Sequence, residues 1–96
     1  MATTNQYDLL FKKAAKNANK RPVVVDGKQV LTPWQLLKAL AMQESRLDPT
    51  AESPAGALGI MQMMPDTATG DLGIDPEQLT DPKIAIPAGA KYLKAR

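Results

Sequence analysis

The segment TPWQLLKALAMQESRLDP, residues 32 to 49, constrains the fold more than any other stretch because it carries the signals for both ends of a helix. Thr32 suits an N-cap, Pro33 suits the first helical position, and Gln35, three residues after Thr32, closes a capping box. Asp48-Pro49 predicts the stop, because a residue before proline is pushed out of helical backbone. At about 100° per residue, Leu37, Leu40, Ala41, Glu44 and Leu47 share roughly a third of the circumference. Glu44 lies near the middle of that arc, a carboxylate where the pattern asks for leucine or alanine.

What surrounds this helix suits a helical domain better than a sandwich. Tyr7, Phe11, Trp34 and Tyr92 are the only aromatic residues among 96, so aliphatic side chains, methionines and alanines must fill the core. Chain length limits the protein to one small domain, 1–96, with little stability to spare. Within it, 1–31 reads as an N-terminal helix followed by a hairpin or extended segment, and 32–96 carries the motifs. Tyr7, Leu10, Phe11, Ala14 and Ala18 form one stripe of the first helix, with Asn5 as its expected cap. RPVVVDGKQVL predicts a short hairpin or extended insertion near 22–31, turning at Asp26-Gly27. TAESPAGALG reads as an ordered loop, and IMQMMPDTATGDLG as extended through Gln62 and helical from Pro65. A last helix starts around Asp81-Pro82, and Pro87 predicts a break between Lys83 and Ile86.

The chain has no cysteine and no histidine, which excludes disulfides, thiol nucleophiles, Ser-His-Asp triads and His- or Cys-based metal sites. No metal or cofactor is expected, and acid/base chemistry falls to Asp and Glu. The net charge of +2 is weakly basic. Lys12, Lys13, Lys16, Lys20 and Arg21 read as a solvated face and not a nucleic-acid site, since no aromatics interleave with them. No apolar run is long enough to span a membrane, and the start MATTNQYDLLFKK lacks the basic-then-apolar order of a secretory signal.

For Glu44 two readings stand side by side. It lies at the rim of the stripe or pairs with an arginine, although Arg46 at i+2 points away. Alternatively it is a buried carboxylic acid kept protonated near neutral pH, able to donate a proton to a leaving group. Asp48, one turn on, reads as a helix-end residue.

ESRLDPTAESPAGALGIMQMMPDTA, followed by DPKIAIPAGAKYL, resembles the catalytic domain of the soluble lytic transglycosylases, goose-lysozyme-like enzymes that cut peptidoglycan between N-acetylmuramic acid and N-acetylglucosamine. The resemblance runs from about Trp34 to Leu93. It implies a mainly α, lysozyme-like fold, Glu44 as the catalytic acid, and substrate contacts from Ser45, Gly59, Met61, Gln62 and Tyr92, with Gly56 allowing close backbone approach. The Gly-Leu-Met-Gln motif stands as Gly59, Ile60, Met61 and Gln62, and the Pro-x-Thr-Ala helix start as Pro65, Thr67 and Ala68. Met63 and Met64 read as core filler. The resemblance also implies a reaction without a second carboxylate, in which the sugar's own groups close a 1,6-anhydro ring. Ala85 departs from the family's asparagine in Asp-Pro-x-x-Asn-Ile. The family's Ala-Tyr-Asn motif does not follow before Arg96, so the domain reads as truncated at its C-terminus, which predicts exposed apolar surface around Ile86, Tyr92 and Leu93.

YDLLFKKAAKNA ahead of this domain resembles the starts of phage internal virion proteins. The implied partners are peptidoglycan glycan strands and other virion or ejection proteins. The implied location is the virion, acting in the periplasm; the bacterial periplasm is the alternative. A structural virion or secretion-machine component that keeps the fold without cleaving, and a hydrolytic muramidase, are the competing functions.

Overall fold

Two apolar clusters meet on the last helix of the chain, and everything that positions the cleft is arranged around it. The computed structural model describes residues 5–21, 23–31 and 33–95. Its elements are α1 (Asp8–Ala18), a hairpin of β1 (Val23–Val25) and β2 (Lys28–Val30), α2 (Trp34–Ser45), a π-helical turn at Thr67–Asp71, a 3₁₀ helix at Pro76–Thr80, and α3 (Pro82–Ala95). The fold is mainly helical, as the composition favours. Among the described residues no helix is long and apolar enough to cross a membrane.

In the larger cluster Phe11 and Ala14 of α1, Leu37 and Ala41 of α2, Ile60, and Ala85, Ile86 and Ala90 of α3 are buried together. In the smaller one Met63, Ala68, Leu79 and Ala88 pack with Leu58 and Tyr92 at the margin. Ile86 and Ala88 sit in different clusters because residues two apart on a helix point to different sides. Complete burial of Ile86 corrects the expectation that it would be exposed, and Tyr92 is half-buried. The side chain of Leu93 lies outside the described residues. Ala85 is buried in the larger cluster, where a methyl needs no hydrogen-bond partner.

The hairpin forms as the sequence predicts. Val23 pairs with Val30 and Val25 with Lys28, and Asp26 (φ 51°) and Gly27 (φ 76°) make the left-handed turn that matches strand twist. Val24, Val25, Val30 and Leu31 remain exposed. The basic residues of α1 are exposed too; Lys12 lies 4.9 Å over the Trp34 ring, and Lys38 pairs with Asp8 at 2.8 Å, stapling α1 to α2.

Several expected boundaries move. Tyr7, not Asn5, precedes α1, and Ala15 replaces Ala18 in its buried set. At α2 the cap position falls on Pro33 with no side-chain cap, and Thr32 lies outside the described residues. That helix ends at Ser45, short of Asp48-Pro49, because Arg46 (φ 55°) and Leu47 (φ 62°) turn left-handed. Residues 59–62 form a turn and not an extended run: Gln62 N–H donates to the Gly59 carbonyl, and Leu58 and Met63 bridge on either side. Helical backbone does begin at Pro65. Asp81 accepts from the Lys83 N–H at 3.0 Å and opens α3, which then runs unbroken through Pro87. Pro87 is close enough to the helix start that losing its N–H removes one early bond without stopping the helix.

After α2 the chain is turned by Asp48, whose carboxylate accepts from the N–H and hydroxyl of Thr50, both at 2.9 Å. These bonds favour the ionised form and hold the Asp48 carboxyl below its ordinary value of 3.8. Because the folded value is the lower one, the stabilisation is complete above the unfolded value and is lost as pH falls through the folded one. Asp48→Ala is therefore expected to lower the melting temperature at neutral pH, with the difference from wild type shrinking in strongly acid solution.

Candidate active site

A cleft of about 220 Å³ opens between the C-terminal half of α2, the 61–67 segment and α3. Leu40 and Glu44 form one wall, Met61 to Met64 and Thr67 another, and Gly89 and Tyr92 the third. Among the described residues that line it, Glu44 alone carries a carboxylate. Two other clefts, of about 320 Å³ each, run along the α1–α3 seam past Ala14, Asn17 and Pro87, and neither is lined by an acid.

Glu44 does not sit in the core. The buried arc of α2 is Leu37, Ala41 and Ser45, and Glu44 is exposed at its edge. The sequence pattern had placed the centre of the arc at Glu44 because it counted Leu47 as helical. Leu47 is buried, but it gets there through the left-handed turn and not by helical geometry. Removing Leu47 from the stripe rotates the buried arc toward Ser45. Leu40 and Glu44 are then left to face the cleft.

Ser45 is buried beneath the cleft and does not line it. Its hydroxyl lies 2.6 Å from the Ile60 carbonyl and 3.0 Å from that of Ala41, and the shorter bond ties the end of α2 to the 59–62 turn. Ser45→Ala leaves the Ile60 carbonyl buried without a donor, and an unsatisfied buried acceptor costs about 1–3 kcal/mol. Urea denaturation is expected to show a loss of that size.

Gln62 has a left-handed backbone (φ 50°), which a long side chain adopts only when held. Its side-chain N–H₂ group supplies the hold, donating to the carbonyls of Ala51 at 3.0 Å and Gly59 at 2.9 Å. With both donors engaged inside the loop, the Gln62 side chain offers the cleft only its carbonyl oxygen as an acceptor. Gly59 is also directed away from the cleft: a side chain there would collide with the Leu79 carbonyl oxygen, so this glycine serves the packing of the loop on the 3₁₀ helix. Gly56 (φ 97°) has open space around its Cα and forms a turn with Ser53.

Thus the structure brings Glu44, Met61, Gln62 and Tyr92 together and places Ser45 and Gly59 underneath. Sequence reasoning missed Leu40, Thr67 and Gly89 and took Met63 and Met64 for filler. Met63 is both buried and part of the cleft, and Met64 is 42% exposed on its wall. For Gly89 a signal existed, since glycine is a poorer helix former than alanine and its place inside a helical pattern asks for a packing reason.

Comparison with known proteins identifies the family. Residues 25–96 match the model of the transglycosylase SLT domain. The chain is 40% identical over 88 residues to the membrane-bound lytic murein transglycosylase F of Alcanivorax borkumensis, covering 92% of this chain and 16% of that protein. Its backbone superposes on the 70 kDa soluble lytic transglycosylase of Escherichia coli with a TM-score of 0.75 at 33% identity, over 95% of this chain and 14% of that one. The same TM-score and coverages hold, at 28% identity, for an inactive glutamate-to-glutamine mutant of the lytic transglycosylase Slt of Pseudomonas aeruginosa. The chain therefore spans a small part of the relatives it matches, and it belongs to the transglycosylase SLT domain family.

Proposed function

We propose that the cleft binds peptidoglycan glycan strands and that Glu44 cleaves the β-1,4 bond between N-acetylmuramic acid and N-acetylglucosamine, as a lytic transglycosylase. The observation that carries this reading is one carboxylate on the wall of a mostly apolar cleft, next to the Met61-Gln62 turn. Glu44 as the acid protonates the glycosidic oxygen as the bond to C1 breaks. The substrate's N-acetyl oxygen stabilises C1, and the Glu44 carboxylate then takes the proton from the muramic acid 6-hydroxyl, whose oxygen closes onto C1. Glu44 ends protonated, and the product carries a 1,6-anhydro end.

Exposure of Glu44 fits a site completed by its substrate. A sugar ring seated over Leu40, Met61 and Tyr92 removes water from the carboxyl, which favours its neutral, proton-donating form. The Gln62 oxygen and the Thr67 hydroxyl are available to orient sugar hydroxyls. A hydrolytic muramidase would use a second carboxylate to activate water. Asp48 is engaged in the turn with Thr50, and it does not line the cleft. Support for the glutamate also comes from the Pseudomonas aeruginosa relative, in which a glutamate-to-glutamine mutant is described as inactive.

The delivery of this domain to the cell wall in a phage virion, for local opening during genome ejection, rests on the resemblance of YDLLFKKAAKNA to the starts of internal virion proteins. Incubation with purified peptidoglycan followed by mass spectrometry tests the chemistry. Muropeptides with 1,6-anhydro ends are expected; reducing ends would indicate a muramidase, and no release a structural component.

A further inference from the structure

On α3, Gly89 is buried against Met61, and a methyl added to it would lie 2.8 Å from Cγ, 2.9 Å from Cε and 3.0 Å from Cβ of that residue. Alanine is a better helix former than glycine, so local propensity alone would fill this position. We infer that Gly89 is a positioning residue that sets the free width of the cleft by giving Met61 a seat against the α3 backbone. The inference rests on the reading of the cleft as a glycan site.

The turn carrying Met61 cannot simply withdraw from an added methyl. Ile60 before it is fully buried and receives the Ser45 hydroxyl at 2.6 Å. Gln62 after it is tied to Ala51 and Gly59, and Leu58 and Met63 bridge across the base. Contact with Cβ, which does not move when the side chain rotates, leaves no conformer of Met61 wholly free of the strain. The flexible Cγ and Cε atoms have open space in the cleft that Met61 and Gly89 both line. In Gly89→Ala the thioether arm swings into a space of about 220 Å³, reducing the room for a sugar opposite Glu44 while leaving that carboxyl where it is.

The test pairs Gly89→Ala with Met61→Ala. Gly89→Ala is expected to raise KM for glycan strands about tenfold with a much smaller change in kcat, because binding space is lost and the acid is not moved. In a chain that already carries Met61→Ala the same change is expected to leave KM within about twofold, since the Cγ and Cε atoms it drives into the cleft are gone and only the Cβ contact at 3.0 Å remains. An equal cost with and without Met61 overturns the inference. If Gly89→Ala does not fold, the double variant must fold, and an unfolded double variant overturns it as well. Carbon-13 labelling of the methionine methyls gives a readout that needs no turnover: the Met61 signal must shift in Gly89→Ala. A stationary signal overturns the inference even if the enzyme is active, whereas a shifted signal in a chain that cleaves nothing supports the seat and overturns the glycan reading alone.

Discussion

Glu44→Gln is expected to lower release of muropeptides by about 10²–10⁴-fold, the range associated with loss of a positioned general acid or base. Glutamine keeps the length and planarity of the side chain, so it can still hydrogen-bond a sugar, but it has no transferable proton for the glycosidic oxygen. Nor can it take the proton from the 6-hydroxyl, so both halves of the reaction fail together. Because the side chain is exposed on the cleft wall, the change in folding stability is expected to stay within about 0.5 kcal/mol. Glycan binding should persist, so that kcat falls much further than KM rises. Glu44→Asp separates proton transfer from position. It keeps the acid but draws it back by one methylene, and a displacement of about 1 Å can cost about 10²-fold. Full activity in the glutamine variant, with products unchanged, would remove Glu44 from the mechanism.

The parts of the molecule legible in the sequence are those decided by local chemistry. Asp26-Gly27 states its own turn, and Asp81-Pro82 caps and opens α3 with a side chain and a ring that act within three residues. The family motifs likewise point to Glu44, Met61 and Gln62, and all three line one cleft. What was not legible depends on contacts far apart in the chain. No helical wheel shows that Arg46 and Leu47 turn left-handed, yet those two residues decide that Ser45 and not Glu44 enters the core. Met64 looks like filler by type, yet Met63 enters the smaller cluster while Met64 stays exposed on the cleft wall. Ser45 and Gly59, assigned to substrate by position in a motif, hold the floor through Ile60 and Leu79, 15 and 20 residues away. A motif marks where a site is, but it does not separate residues that touch substrate from those that hold the ones that do.

Gly59→Ala is expected to have the largest effect on stability, and for reasons that can be separated by experiment. Gly59 adopts φ 81°, and left-handed backbone costs a residue with a Cβ about 1–2 kcal/mol. Its Cβ would also land on the carbonyl oxygen of Leu79, with the Leu79 carbonyl carbon 2.9 Å away. These are backbone atoms, and Leu79 is fully buried in the smaller cluster, so the 3₁₀ helix cannot yield as a side chain would. The loop must move instead, which breaks the 2.8 Å bond from the Gly59 N–H to the Ala51 carbonyl and loosens the Ser45–Ile60 tie beside Glu44. Strain, a lost hydrogen bond and a forced separation together are expected to cost about 4 kcal/mol or more, large against the 5–15 kcal/mol that holds a domain folded. At about 4–8 °C per kcal/mol for a domain of this size, the melting temperature should fall by roughly 15–30 °C by circular dichroism. Gly56→Ala supplies the control. Gly56 (φ 97°) carries a comparable backbone strain, but nothing lies within 4 Å of its added methyl, so it should lose only the strain. Equal losses at the two positions would mean that the loop does not rest on the Leu79 carbonyl, and the floor beneath Glu44 would have to be rebuilt.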